Sequence, residues 1–144
     1  MKVRKVLCLC FGNTCRSPMM QRILQDALLD FGILDVEVES AGVNKSSAGQ
    51  TIAEFSANEL RHRGLALEGH VSRYAGDIPH LADFTHVVAV GQAEADALVA
   101  LCPQLKDRIS VIEIPNPWQK GPEAYAECAI VINDEMRLFA AKHF

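Results

Sequence analysis

Residues 3–18 read Val3-Arg4-Lys5-Val6-Leu7-Cys8-Leu9-Cys10-Phe11-Gly12-Asn13-Thr14-Cys15-Arg16-Ser17-Pro18. Val3–Cys10 is β-rich and mostly apolar, the pattern of a buried strand. From Arg16 to Phe31 the apolar residues Met20, Ile23, Leu24, Ala27, Leu28 and Phe31 recur at helical spacing. Between them lies a turn carrying Gly12 and Asn13, residues that accept unusual backbone angles. Pro18 suits a helix's first turn. The stretch is therefore a strand, a tight loop and a helix in immediate succession.

That order gives the loop a chemistry. Cys10 and Arg16 have five residues between them. Curled between a strand and a helix, such a loop turns successive N–H groups inward as an anion-binding nest. The helix start adds unsatisfied N–H groups and a positive dipole end. Arg16 can hold a tetrahedral oxyanion with two N–H groups at once. The same field favours a thiolate on Cys10, which beneath a bound phosphoryl group is a nucleophile in position. Ser17 is placed to donate a hydrogen bond to that sulfur. The spacing alone is weak, because cysteine and arginine meet at this separation by chance. The strand before it, the helix after it and the Gly-Asn pair within it carry the argument.

Working outward, strand-like and helix-like segments alternate. Asp35–Ser40 alternates as a strand, and Thr51–Arg63 reads as a helix ending near Gly64. Phe84–Val90 is a β-branched apolar run, Ala93–Leu101 is helical with Pro103 just beyond, and Arg108–Ile114 is another strand. Pro122–Lys142 places Tyr125, Cys128, Ile132, Met136 and Phe139 at helical spacing. This alternation predicts an α/β fold with a mainly parallel sheet covered on both faces. In such sheets ligands sit beyond the C-terminal strand ends, which points to the segments after the first and last strands.

The 144 residues fit one domain, 1–144, long enough for a real core. Hydrophobic residues make up 49% and charged residues 22%, ordinary for a globular protein. A net charge of −4 does not suggest a nucleic-acid or anionic-membrane surface. The basic start and the Val6–Phe11 run imitate a signal peptide, but the run is short and no small-residue cleavage site follows. Five cysteines, an odd number, do not form a secreted disulfide framework. The expected compartment is the cytoplasm, with reduced thiols. No paired metal-ligand set completes Cys8, Cys10 and Cys15, so no metal is expected. No nucleotide-binding glycine motif occurs, and no cofactor is expected.

Val6–Pro18 resembles the signature of the low-molecular-weight protein tyrosine phosphatases. Ser40-Ala41-Gly42, Gly69-His70-Val71-Ser72-Arg73 and Pro115-Asn116-Pro117-Trp118 resemble further family segments, so the likeness runs along nearly the whole chain. The resemblance implies a three-layer fold, a four-stranded parallel sheet with helices on both faces, of the phosphotyrosine phosphatase I type. It implies hydrolysis of phosphomonoesters, preferentially protein phosphotyrosine, through a phosphocysteine on Cys10. Phe11, Gly12, Asn13, Thr14, Cys15 and Arg16 are then the phosphate-binding loop. Asn13, Ser40 and His70 are the network that holds it, and Phe11 and Trp118 flank the substrate ring. Cys15 is expected to trap an oxidised Cys10 as a reversible disulfide. The implied partner is a phosphotyrosine-containing protein, with a tyrosine kinase as a family-level guess.

Two departures stand out. The family carries an aspartic acid in its Asp-Pro segment as general acid and base; here Asn116 occupies that place. An amide cannot exchange a proton near neutral pH, and such help is worth ~10²–10⁴-fold. Glu113, Glu123 and Asp77 are candidate substitutes. Where many relatives carry an aromatic wall, this chain has Asn44-Lys45-Ser46-Ser47, which predicts a more open pocket. The alternatives are an oxyanion- or phosphotyrosine-binding protein with little turnover, and an arsenate reductase of related fold. The absence of cysteines from Gly64 to Leu101 disfavours a thiol relay.

Overall fold

The computed structural model describes residues 3–144. The elements, in chain order, are β1 (Arg4–Cys10), α1 (Arg16–Asp30), β2 (Val36–Gly42), α2 (Glu54–His62), β3 (His86–Ala89), α3 (Gln92–Leu101), β4 (Ile109–Val111) and α4 (Pro122–His143), with short 3-10 turns between them. The four strands form one parallel sheet in the order β2-β1-β3-β4. This is the expected architecture.

Alternation along β1 explains why that strand is apolar throughout. Val6, Cys8 and Cys10 point to a core built with Met20, Ile23 and Leu24 of α1, Leu60 of α2, and Ile132 and Met136 of α4. Leu7 and Leu9 point to the other face, against Ala95 and Leu98 of α3 and Leu105. A strand buried on both faces cannot alternate polar with apolar residues. The same parity puts the Cys10 side chain on the α1 face. Burial pushes the Cys8 thiol well above its usual range, with Cys10 adding to the effect, so Cys8 is an inert core residue.

β1 lies between β2, its successor, and β3. The chain therefore leaves β1 in one direction and later returns on the other side. The carboxyl end of β1 is the sheet's switch point, where parallel sheets open a crevice. Cys10 ends β1 at that point.

Element ends differ from the sequence reading in instructive ways. The helix predicted from Thr51 starts at Glu54, because Thr51 forms an antiparallel bridge with Val71. Regular pairing of β4 covers only Ile109–Val111, although Ile112 and Ile114 still donate to Ala89 and Val90.

Candidate active site

The loop from Phe11 to Cys15 leaves β1 and enters α1 without a spacer. Its shape is held from within by Asn13. This residue is fully buried and takes the left-handed backbone region, φ 61°. Its Nδ2 donates to Ser17 Oγ at 2.7 Å and to Ser40 Oγ at 3.0 Å. Its Oδ1 accepts the Arg73 N–H at 3.1 Å. One amide thus ties the loop to α1, to β2 and to the Gly69–Arg73 segment. Ser40 Oγ donates in turn to Gln21 Oε1 at 2.6 Å. Arg73 donates from Nε to the Ser40 carbonyl and pairs with Glu39 at 2.6 Å. Burial works against the Glu39 charge, but Arg73 and then Lys5 outweigh it and hold the carboxyl below its usual range. Ser40 Oγ and, through the Asn13 carbonyl, His70 Nε2 both bond to Asn13, and Gln21 and Arg73 join the same network without having been assigned to it from the sequence.

Gly42 shows how closely β2 approaches. A Cβ there meets the Phe11 carbonyl oxygen at 2.7 Å. The absence of a side chain lets Val43 and Asn44 donate to the Phe11 carbonyl, both at 2.9 Å.

Cys10 Sγ sits at the centre of the loop. It accepts the Asn13 N–H at 3.2 Å and lies 3.0 Å from Ser17 Oγ. Ser17 Oγ already accepts from Asn13 Nδ2, so its own proton is free for the sulfur; the Ala41 carbonyl, at 3.4 Å, is the longer alternative. Arg16 is buried, and its Nη1 donates to the Ile114 carbonyl at 2.9 Å, which fixes the guanidinium. Its Nε is buried without a partner among the described residues. An unpartnered buried donor on a charged group is costly, and a bound oxyanion would satisfy it.

These groups open onto a cleft of about 380 Å³. Cys10, Gly12, Thr14, Cys15 and Arg16 line its base, and Phe11 and Trp118, 52% and 58% exposed, stand at it. Asn44, Ser47 and Gln50 supply polar lining. Asn44 Nδ2 donates to Ser47 Oγ at 2.7 Å, so this lining is ordered. Asn116 also lines the cleft, and its Oδ1 accepts the Trp118 N–H at 3.2 Å. Among the described residues that line it there is no carboxylate, and Glu113, Glu123 and Asp77 are not part of the lining. The arrangement can bind a phosphoryl group over a sulfur nucleophile.

The family model for low molecular weight phosphotyrosine protein phosphatase matches residues 5–143. The chain belongs to this family. The family's members are enzymes that work through a phosphocysteine intermediate. PtpA of Staphylococcus aureus (strain MRSA252), a low molecular weight protein-tyrosine-phosphatase, is 30% identical over 118 residues, 81% of this chain and 75% of the relative. Two solved structures share the fold. The low molecular weight protein tyrosine phosphatase of T. tengcongensis superposes with TM-score 0.86 at 24% identity, covering 96% of this chain and 99% of that one. YwlE arginine phosphatase of Geobacillus stearothermophilus gives 0.82 at 26%, covering 96% and 92%. Against this phosphatase background, Cys15 gains a further contact. Its Sγ lies 3.3 Å from the buried Tyr125 hydroxyl of α4. Burial, the Cys15 hydrogen bond and the nearby Cys15 and Cys128 thiols push the Tyr125 phenol up, so it stays protonated.

Proposed function

We propose that this chain hydrolyses phosphomonoesters, phosphotyrosine in proteins foremost, by carrying the phosphoryl group on Cys10 Sγ. The observation that carries the reading is the Cys10 sulfur, held between the Asn13 N–H and the Ser17 hydroxyl at the base of the cleft. The thiolate attacks phosphorus from below while Arg16 and the loop N–H groups hold the equatorial oxygens. The P–O bond breaks and the leaving oxygen takes its proton from water, because Asn116 has none to give. Water then attacks the phosphocysteine, phosphate departs, and Ser17 stabilises the returning thiolate. Asn116 makes both steps slower than they are with an Asp. Phe11 and Trp118 offer flat apolar surface to an aromatic ring. The physiological substrate is a phosphotyrosine protein, a tyrosine kinase among the candidates. The five buried cysteines are all free thiols, which supports action in a reducing compartment such as the cytoplasm.

One observation favours a second substrate class. The ordered polar lining of Asn44, Ser47 and Gln50 can accept N–H groups, and one solved neighbour is an arginine phosphatase. A time course of phosphate release from p-nitrophenyl phosphate, a phosphotyrosyl peptide and a phosphoarginyl peptide tests the choice. The wild-type chain and Cys10→Ser run in parallel. Cys10-dependent release that is fastest, among the peptides, from the phosphotyrosyl one supports the proposal. Preference for phosphoarginine transfers the chemistry to the second class. Binding of phosphotyrosine without Cys10-dependent release makes the chain an oxyanion-binding relative instead.

A further inference from the structure

The loop that carries Cys10 is held from outside as well as from within, and α2 supplies part of the outer hold. Three successive loop carbonyls each accept one hydrogen bond from beyond the loop. The Asn13 carbonyl accepts from His70 Nε2 at 2.9 Å; a carbonyl cannot donate, so Nε2 carries the proton. The Thr14 carbonyl accepts from the Ala53 N–H at 2.9 Å, at the entry to α2. The Cys15 carbonyl accepts from Ser56 Oγ at 3.0 Å, in the first turn of α2.

In a trans peptide the carbonyl and the following N–H point in opposite directions. Holding these oxygens outward turns the N–H groups of Thr14, Cys15 and Arg16 toward the cup. A carbonyl that accepts a hydrogen bond also makes its own peptide N–H a better donor, since bonded chains polarise one another. The outer bonds therefore both aim the anion-binding N–H groups and strengthen them. Ser56 governs the peptide that supplies the Arg16 N–H, the unit next to the guanidinium.

We infer that Ser56 is a positioning residue for phosphoryl binding, acting through the Cys15–Arg16 peptide. The inference rests on the proposed function, because it assumes that the loop binds a phosphoryl oxyanion. Ser56 is fully buried and does not line the cleft, so it acts without touching substrate. Its helix is anchored by Leu60, which lies in the core under α1 and α4, so the hydroxyl has a rigid base.

The test is Ser56→Ala, compared with wild type for three readouts: the inhibition constants of vanadate and inorganic phosphate, the protection of Cys10 by these anions against alkylation by iodoacetate, and Tm. Leu98→Ala, in the core on the opposite face of the sheet, is the control for lost stability. Ser56→Ala is expected to weaken both anions by about 3- to 10-fold, the worth of one ordinary hydrogen bond. It should also reduce, in the same proportion, the protection that either anion gives Cys10 against iodoacetate. Leu98→Ala should lower Tm and leave both other readouts unchanged. If Ser56→Ala lowers Tm but leaves anion inhibition and the protection of Cys10 at wild-type values, Ser56 is only a packing residue and the inference is overturned. Should Ser56→Ala not fold, Ser56→Cys decides on the same readouts, alkylation being followed at Cys10 by peptide mapping. As a weak donor it should give intermediate values, and wild-type values overturn the inference. If neither anion inhibits the wild-type chain, the proposed function itself has failed, a result distinct from the others.

Discussion

Asn116 lines the cleft, and its Oδ1 accepts the Trp118 N–H; under the proposed function it holds the place of a proton-transferring carboxyl group. An aspartate can keep that acceptor role and add a titrating oxygen, so Asn116→Asp is a small structural change with a large chemical one. The expected result is a rise in kcat on a phosphotyrosyl peptide of up to ~10²–10⁴-fold, with a new acid limb in the pH–rate profile. A smaller rise is expected on p-nitrophenyl phosphate, whose leaving group departs tolerably as an anion. Steady-state kinetics on both substrates check this, and equal changes on both would count against the role given to position 116. Asn13 is the residue on which the loop's shape depends most. Asn13→Ala leaves the Arg73 N–H and the Ser17 and Ser40 hydroxyls short of a partner and retains the unfavourable φ. The expected loss is roughly 2–4 kcal/mol, read from urea denaturation. Asn13→Gly should lose as much of the network and regain only the backbone part.

Among the elements, β1 was legible because a strand buried on both faces is apolar throughout, and α1 and α4 because each keeps an apolar stripe. The start of α2 was not legible: Thr51 is captured by Val71, a long-range pairing that local pattern does not contain. The same holds for the site. Cys10, Arg16 and Ser17 lie within one short stretch, and family likeness reached Ser40 and His70. Ser56, Gln21 and Gln50 have no local signal, because their roles arise only when distant segments pack; Arg73 lies in the segment quoted with His70, but nothing local shows its pairing with Glu39. The join between the loop and α4 has a consequence of its own. Cys15 is held by Tyr125 and follows Cys10 round the same loop. Cys128, by contrast, has its thiol pushed up to about 12 by burial and is a poor competitor for oxidation. Mild peroxide should inactivate the enzyme reversibly through a Cys10–Cys15 disulfide, visible in non-reducing peptide maps. Cys15→Ala should convert this into loss that dithiothreitol does not recover. Full recovery in that variant, or a bridge between other cysteines, would exclude the mechanism.

At the scale of the whole molecule, the far end of the sheet carries a cluster that ties β1, β3 and α4 together. His86 lies 4.8 Å from the Phe144 ring and 5.5 Å from His143, and Arg4 sits over Phe144 at 4.8 Å. Burial first, then the His143 and Arg4 charges, depress the His86 proton affinity, and burial and then Lys142 depress that of His143. Groups that bind protons less readily when folded make the unfolded state the better proton acceptor. Their contribution to stability is therefore present above the ordinary histidine value of about 6.5 and is lost as pH falls below it. Glu39, held low by Arg73, adds a further loss at more acid pH. The urea midpoint should fall from pH 7 to pH 5, and His86→Leu should flatten that fall; an unchanged slope in the variant would place the acid sensitivity elsewhere.

The claim on which the rest depends is that the phosphoryl group passes through Cys10. Rapid-quench mixing of enzyme with p-nitrophenyl phosphate, followed by mass spectrometry of the peptide carrying residues 10–16, measures this directly. The account predicts a phosphorylated Cys10 that appears with the p-nitrophenol burst, decays as phosphate is released, and is longer-lived than in Asn116→Asp. Steady release of phosphate with no phosphoryl on Cys10 at any time, or release that persists in Cys10→Ser, would contradict it.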